Sequence, residues 1–230
     1  MFEQNVGNSI FKGFNDRSGI MLCGYEFGFS KYDQEHPEKT IRNEGVQYTF
    51  SNKSAFFGPR ALSWRYDQRV IRWFELWGHK LNRDGNGGGF EKCILQTNWC
   101  NTDGNKIDSD YHEKLLAPDQ LENFVTHIEA FEPRVIFFLG SKIIQILQDG
   151  RVFPLFTKVV GNEIQKERLH FETRPFCGRV FRIGFQGFER CTIISLPHPS
   201  GTRGLSDEYI SLFAPEICGI LTEYRQSRGF

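Results

Sequence analysis

Short apolar runs alternate with amphipathic segments along most of the chain. Each apolar run has the length of a buried strand and is followed by a turn residue or a polar residue. The strands predicted in this way are Gly19–Cys23, Cys93–Gln96, Arg134–Leu139 and Thr192–Leu196. A further strand is predicted within Arg179–Ser195, ahead of the last of these, with a turn at Gly187 between the two.

The amphipathic segments predict helices between these strands. From Leu121 to Phe131 apolar residues recur at spacings of three and four, and Pro118 marks the start of that helix. The other predicted helices are Leu62–His79, Lys142–Leu147 and Asp207–Tyr224. Strands that alternate with helices indicate an α/β fold, a three-layer α/β/α sandwich with a central, mostly parallel sheet.

One domain is predicted for residues 1–230, since the sequence has neither an internal repeat nor a break in composition. A polar, charged stretch at about 31–53 is too long for a tight connection. It is predicted to be an insertion that forms a functional loop or a small subdomain.

The charge balance limits the classes of function. Lys plus Arg and Asp plus Glu both number 28, so the net charge is zero. This balance disfavours a protein that coats DNA non-specifically, because such binding needs many phosphate contacts. It is compatible with an enzyme that has a local basic rim. The chain start has no signal-peptide pattern and no apolar run reaches membrane-spanning length, so we expect a cytoplasmic protein that does not enter a membrane.

The six cysteines are scattered and contain no C-x-x-C pair. We expect reduced thiols and neither a metal site nor an iron–sulfur cluster. No G-x-G-x-x-G or Gly-Lys-Ser/Thr motif follows the first strand, which disfavours a dinucleotide- or nucleotide-binding protein. No cofactor is therefore predicted.

Polar residues follow the predicted strands at the end where open α/β sheets bind ligands. Glu26 follows the first strand, Asn98 the second, Ser141 the third and His198 the last. We expect these four positions to lie at one edge of the sheet.

Each of these residue types has a possible chemical role. A carboxylate at Glu26 can orient a water or stabilise positive charge on a sugar ring during glycosidic hydrolysis. His198, held between two prolines, can donate a hydrogen bond to a departing base. The amide of Asn98 offers a donor and an acceptor to a base edge. Each also has a structural alternative, respectively a solvated turn, a satisfied loop histidine and a capped turn.

Three motifs together resemble those of the uracil-DNA glycosylase superfamily: GYEFG at 24–28, ILQTN at 94–98 and LPHPSG at 196–201. EPRVIFFLGS at 132–141 also looks like the superfamily's strand that ends in Gly-Ser. The most specific element is PHPSG. The resemblance spans about Gly19 to Tyr224 and implies a glycosylase that flips its target base out of DNA.

The resemblance implies roles for single residues. Glu26 takes the position of the catalytic carboxylate and His198 that of the leaving-group donor. Asn98 takes the base-reading position, with Gly24 and Tyr25 against the base. Ser200, Arg203 and Ser141 are implied to contact the DNA backbone, and Leu205 to fill the gap left by the flipped base.

The sequence departs from the superfamily pattern in two places. Phe27 stands where the family usually has proline. The base-stacking aromatic is not at its usual distance from the acid motif. Phe56 and Phe57 in AFFGPR are the candidates, with Phe56 matching a Phe-x-Gly spacing of one branch, and Tyr48 and Phe50 remain alternatives.

The predicted activity is hydrolysis of the N-glycosidic bond of uracil or a modified pyrimidine by a monomer, in repair or in defence against modified viral DNA. The alternative is a catalytically inactive module of the same fold that binds DNA or protein. A hydrolase that uses Cys100 as nucleophile is a weaker hypothesis, because no Gly-flanked cysteine or oxyanion motif accompanies it.

Overall fold

A computed structural model describes residues 17–28, 35, 48–49, 63–81, 88–104 and 110–230. Phe56, Phe57, Phe50 and most of the predicted insertion at 31–53 lie outside these residues. The described part is an α/β fold built around a mixed, mostly parallel sheet.

Within these residues the main sheet has seven strands in the order β3-β4-β1-β6-β9-β8-β7, and β2 pairs with β5 in a separate ribbon. The strands are β1 (Ile20–Gly24), β2 (Phe27–Gly28), β3 (Tyr48–Thr49), β4 (Ile94–Asn98), β5 (Asp103–Gly104), β6 (Val135–Leu139), β7 (His170–Glu172), β8 (Ile183–Phe188) and β9 (Cys191–Leu196). The four central strands β4, β1, β6 and β9 are parallel, whereas β3, β8 and β7 pair antiparallel with their neighbours.

The helices of the described residues cover both faces of this sheet. They are α1 (Arg65–Leu76), α2 (Gly89–Lys92), α3 (Tyr111–Leu115), α4 (Pro118–Phe131), α5 (Ile143–Ile146), α6 (Phe153–Val160), α7 (Asp207–Ser211) and α8 (Ala214–Arg228), with a 3-10 turn at Gln165–Glu167. Alternate residues of each central strand enter opposite cores: Leu22 and Phe137 pack with α1 and α8, and Cys23 and Phe138 with α4 and α6. Two apolar cores on either side of one sheet are compatible with the predicted three-layer sandwich.

The predicted turn at Gly187 is wrong. Gly187 lies inside β8, and the chain turns at Glu189–Arg190 instead. A β-carbon at Gly187 would overlap the carboxylate of Glu167, so this glycine permits a close approach and not a turn.

The last predicted helix, Asp207–Tyr224, consists of two helices. The first ends at Ser211, and a new one begins at Ala214 with Pro215 in its first turn, a position that proline tolerates. The second continues to Arg228, where Gly229 with φ 75° caps it.

Candidate active site

The carboxyl ends of the four parallel strands form one edge of the sheet, here called the carboxyl edge. Asn98 is the last residue of β4, and Glu26, Ser141 and His198 each come two residues after β1, β6 and β9. After β1 the chain adds β4 on one side and then returns to add β6 on the other. Such a switch point opens a crevice at the carboxyl edge, where open α/β sheets bind ligands.

Glu26 lies between β1 and the β2–β5 ribbon, with its side chain 13% exposed. Its Oε2 accepts hydrogen bonds from Thr102 Oγ1 at 3.0 Å and from the ammonium of Lys114, with which it forms an ion pair. A β-carbon at Gly104 would overlap Oε1, so glycine is required above the carboxylate. The carboxylate is therefore fixed in position, and one of its oxygens is paired.

The side chain of Asn98 lies against Gly24, where a β-carbon would overlap it. In the orientation that satisfies its hydrogen bonds, its amide nitrogen donates to the carbonyl oxygens of Glu26 and Thr97, 3.3 Å from each. Asn98 and Glu26 are thus brought together, and the amide also stabilises the turn that carries the carboxylate.

Tyr25 points into the core and not into the crevice. Its ring is 7% exposed, meets Tyr111 edge-on at 6.1 Å, and occupies the space where Gly140 would carry a β-carbon. Burial raises the pKa of Tyr25 to about 12, although a hydrogen bond with the Lys142 backbone opposes the shift. Tyr25 therefore joins the end of β1 to the end of β6 as a packing residue.

His198 is held by the loop that follows it. Its Nδ1 accepts hydrogen bonds from the backbone amides of Ser200 at 3.3 Å and Gly201 at 3.0 Å, and the Ser200 hydroxyl lies 3.3 Å away. Pro197 and Pro199, on either side, are buried. The ring is consequently fixed by its own turn, as its place between two prolines suggests.

These hydrogen bonds determine which nitrogen carries the proton. Since Nδ1 accepts, the neutral ring of His198 bears its hydrogen on Nε2. Burial lowers the pKa of His198 below its ordinary value of 6.5, so the ring is neutral at pH 7. Among the described residues none accepts a hydrogen bond from Nε2. His198 is therefore a fixed neutral donor at the carboxyl edge.

Tyr66, in the first turn of α1, packs beside His198 with 5.9 Å between the ring centroids. Burial raises the pKa of Tyr66 well above 10, and the negative charge of Asp67 acts in the same direction. Its hydroxyl thus remains protonated. The sequence pattern placed Tyr66 in an aromatic-rich helix but gave no sign that it lies next to His198.

The loop at 197–206, called the His198 loop, is held by three residues that had no predicted role at the site. Arg69 donates to the carbonyl oxygens of Pro199 and Leu205 at 2.7 Å each, and its Nε lies 3.4 Å from Asp207. Trp73 Nε1 donates to the same Asp207 carboxylate at 3.0 Å. The spacing of Arg69 and Trp73, four residues apart on one helix face, was the only sequence signal for this cluster.

The residues implied to contact DNA have different positions. Ser200 lies half-buried in the His198 turn and Ser141 half-buried after β6, whereas Arg203 is exposed. Leu205 is 7% exposed and belongs to the core beneath α1. An apolar residue that precedes a helix packs inward here, so the structure does not support Leu205 as the residue that fills a gap in DNA.

Cys100 does not have the surroundings of a nucleophile. It is 1% exposed, and burial raises the pKa of its thiol to about 12. Because only the thiolate is strongly nucleophilic, this disfavours the hypothesis of a cysteine-dependent hydrolase. All six cysteines are free.

No protein-family model matches the chain, and no curated protein is significantly similar to it. The superfamily resemblance thus rests on motifs alone. The described residues include no group of three metal-ligating side chains, and none of their helices is both long and apolar enough to cross a bilayer.

Proposed function

We propose that this protein is a DNA glycosylase that hydrolyses the N-glycosidic bond of uracil or a modified pyrimidine. The observation that carries the proposal is the neutral His198, whose Nε2 proton is presented at the same edge of the sheet as Glu26 and Asn98. The three motifs, their order along the chain and the α/β fold support the same function.

Glycosidic hydrolysis creates charge of opposite sign on the two halves of the substrate. As the bond from C1′ to the base breaks, its electron pair leaves with the base and positive charge develops on the sugar. Water then adds at C1′ and gives up one proton to solvent, and the base that left as an anion takes up one proton from solvent, so that the elements of water are added across the bond. The product is an abasic site together with the free base.

Glu26 and His198 have the chemistry for the two charges. The Glu26 carboxylate stabilises the cationic sugar and orients the water, while His198 Nε2–H donates to the base that leaves with negative charge. Glu26 follows β1 and His198 follows β9, and one strand, β6, lies between these two. At the usual spacing of neighbouring strands, β1 and β9 are about 10 Å apart. A nucleoside can lie between them with its sugar near Glu26 and its base near His198.

The hydrogen bonds to Nδ1 favour a neutral His198 over a cationic one. The backbone amides of Ser200 and Gly201 donate to Nδ1, and the Ser200 hydroxyl lies beside it. Protonation of Nδ1 would therefore break the turn. His198 therefore acts as a hydrogen-bond donor through Nε2 and carries no proton on Nδ1. On this proposal the protein works as a cytoplasmic monomer that flips the base from DNA and needs no cofactor.

One observation favours the alternative, an inactive module of the same fold that binds DNA or protein. Glu26 forms an ion pair with Lys114, and this pairing offsets part of the charge that catalysis would use. Lys114 is 35% exposed, however, so the ammonium is near water and can move when substrate enters.

The test uses single- and double-stranded DNAs that carry uracil, hypoxanthine or bulky modified pyrimidines. Free base is identified by mass spectrometry and abasic sites by strand cleavage in hot alkali. Release of one base type supports the glycosylase and names its substrate. DNA binding without release from any substrate would favour the inactive module.

A further inference from the structure

A tight hairpin projects next to the His198 loop. Phe176 and Arg179 exchange two backbone hydrogen bonds of 3.0 Å, and the two residues between them, Cys177 and Gly178, have φ of 50° and 71°. Positive φ at both central positions is the geometry of a two-residue type I′ turn, which gives a well-defined hairpin. The segment 174–182 is called the arginine hairpin below.

The arginine hairpin lies at the carboxyl edge. Because β8 runs antiparallel to β9, the start of β8 meets the end of β9, with Gly184 opposite Ser195. The hairpin leads directly into β8, and His198 follows directly after β9. The topology therefore brings both to the same end of the sheet.

Two contacts hold the hairpin, the first with α7 and the second with the loop at 197–206. The Tyr209 hydroxyl donates to the carbonyl oxygen of Phe181 at 2.7 Å and accepts from its amide at 2.9 Å. The Arg179 guanidinium occupies the space where Gly204 would carry a β-carbon, and Gly204 has φ 80°. The hairpin thus contacts α7 and, at Gly204, the loop that follows His198.

The two neighbouring segments carry positive charge only. Segment 174–182 contains three arginines and no acidic residue, and segment 197–206 contains Arg203 and no acidic residue. Arg179, Arg182 and Arg203 are exposed, and within the described part of the chain no carboxylate forms an ion pair with them. The Arg182 guanidinium lies over the Phe171 ring of β7, 4.0 Å from the ring centroid, whereas Arg179 lies against Gly204. Arg174 differs, since it pairs with Glu172 and Glu216. In a chain of zero net charge, this is a local basic surface.

The hairpin and α7 together line a cavity of about 360 Å³, and Arg179 and Glu208 are among its lining residues. The Glu208 carboxylate would repel an anion inside this cavity. A phosphate is therefore expected outside the cavity, beside the exposed Arg179 of the hairpin and the exposed Arg203 of the loop at 197–206.

We propose that the arginine hairpin is a second DNA-binding segment, next to the loop at 197–206. Arg179 and Arg182 of the hairpin and Arg203 of the loop contact phosphates of the strand that enters the site. Arginine binds phosphate with a planar, bidentate guanidinium and is suited to this contact. The inference rests on the proposed glycosylase function and extends it to the residues that hold the strand.

The experiment measures binding of a fluorescent duplex without a target base, by anisotropy, from about 50 to 200 mM salt. Removal of one arginine that binds a phosphate should reduce the slope of log affinity against log salt by about 0.9. Arg179→Ala, Arg182→Ala and Arg203→Ala should each show this change, and Arg179→Lys should retain most of the slope. Arg190→Ala, in the β8–β9 turn at the opposite end of the sheet, is the matched control and should behave as wild type.

Base release by the same proteins separates the two proposals. If wild type releases a base and all three alanine variants keep the wild-type salt slope, the arginine hairpin is not a DNA contact and the glycosylase proposal stands. If wild type neither binds DNA nor releases a base, both proposals are overturned. Arg182 and Arg203 are exposed, so a folding defect at Arg179 alone would leave two variants that decide the question.

Discussion

Arg69, on α1, donates a hydrogen bond of 2.7 Å to the carbonyl oxygen of Pro199. A second one, of the same length, reaches the carbonyl of Leu205, so one guanidinium holds the loop that follows His198 at two points. No hydrogen bond joins the imidazole of His198 to Arg69. Its orientation nevertheless depends on this helix side chain, because the amides that bind Nδ1 belong to the turn that Arg69 holds.

Arg69→Met should therefore impair both stability and activity. Two carbonyl oxygens lose a charged donor, and we expect the free energy of unfolding to fall by about 2 to 4 kcal/mol. Base release should slow by about tenfold or more, because His198 loses its fixed direction. Urea unfolding and single-turnover assays measure the two effects.

Arg72→Met, one turn away on α1, is the matched control. Arg72 forms an exposed ion pair with Glu75, and such pairs contribute little to stability. Similar losses in both variants would mean that α1 is generally sensitive and that Arg69 has no particular link to the His198 turn.

The lowered pKa of His198 predicts a pH dependence. A histidine with a folded pKa below 6.5 binds fewer protons in the folded state than in the unfolded state. Stability from this residue is complete above about pH 6.5 and falls as the pH decreases towards the folded pKa. Activity should be lost over the same acidic range, since protonated Nδ1 cannot accept from Ser200 and Gly201.

NMR titration of the histidine Cε1 protons measures these pKa values directly. Burial lowers the pKa of His127 to about 4, so this residue serves as an internal comparison. A His198 midpoint at or above 6.5, or activity that rises as the ring becomes cationic, would contradict the neutral-donor role.

Asn98→Asp should alter both the turn and the base preference. An aspartate would direct an acceptor at the carbonyl oxygens of Glu26 and Thr97, which now receive the amide hydrogens. We expect a loss of about 1 to 3 kcal/mol in unfolding free energy and a change in which bases are released. Destabilisation with an unchanged base profile would limit Asn98 to a structural role in the turn.

The hydrophobic pattern predicted the central sheet because its strands are buried on both faces. Ile20–Gly24 and Val135–Leu139 are buried at every position, so each appears as a continuous apolar run. The outer strands lack this signal. The residues of β7 are exposed or half-buried, and β3 has two residues, too few for a periodic pattern.

Contacts at the site were less predictable than the strand ends. The position of Glu26 follows from β1, but its partner Lys114 comes from α3, a five-residue helix that no periodicity marks. Tyr25 is adjacent to Glu26 in sequence, yet its side chain turns into the core because Gly140 leaves room for the ring. Ion-pair partners and side-chain orientations of this kind depend on packing between segments that are distant in the sequence.

Gly140→Ala tests the packing that joins β1 to β6. The added methyl group would overlap the buried Tyr25 ring, and we expect a loss of about 1 to 3 kcal/mol in unfolding free energy. Gly219→Ala on α8, where a β-carbon meets no atom within 4 Å, should instead stabilise the protein by about 0.5 to 1 kcal/mol. Thermal unfolding of the two variants compares them, and equal stabilities would refute the close contact.

The catalytic role of Glu26 is tested by comparing base release by wild type, Glu26→Gln and Glu129→Gln under single-turnover conditions. Glu129 is exposed on α4 and provides the same substitution away from the carboxyl edge. We expect Glu129→Gln to release base as wild type does. Glu26→Gln should stay folded and bind DNA but release base at least a hundredfold more slowly, a loss on the order of 3 kcal/mol of transition-state stabilisation. Base release at the wild-type rate by folded Glu26→Gln would rule out a catalytic role for this carboxylate.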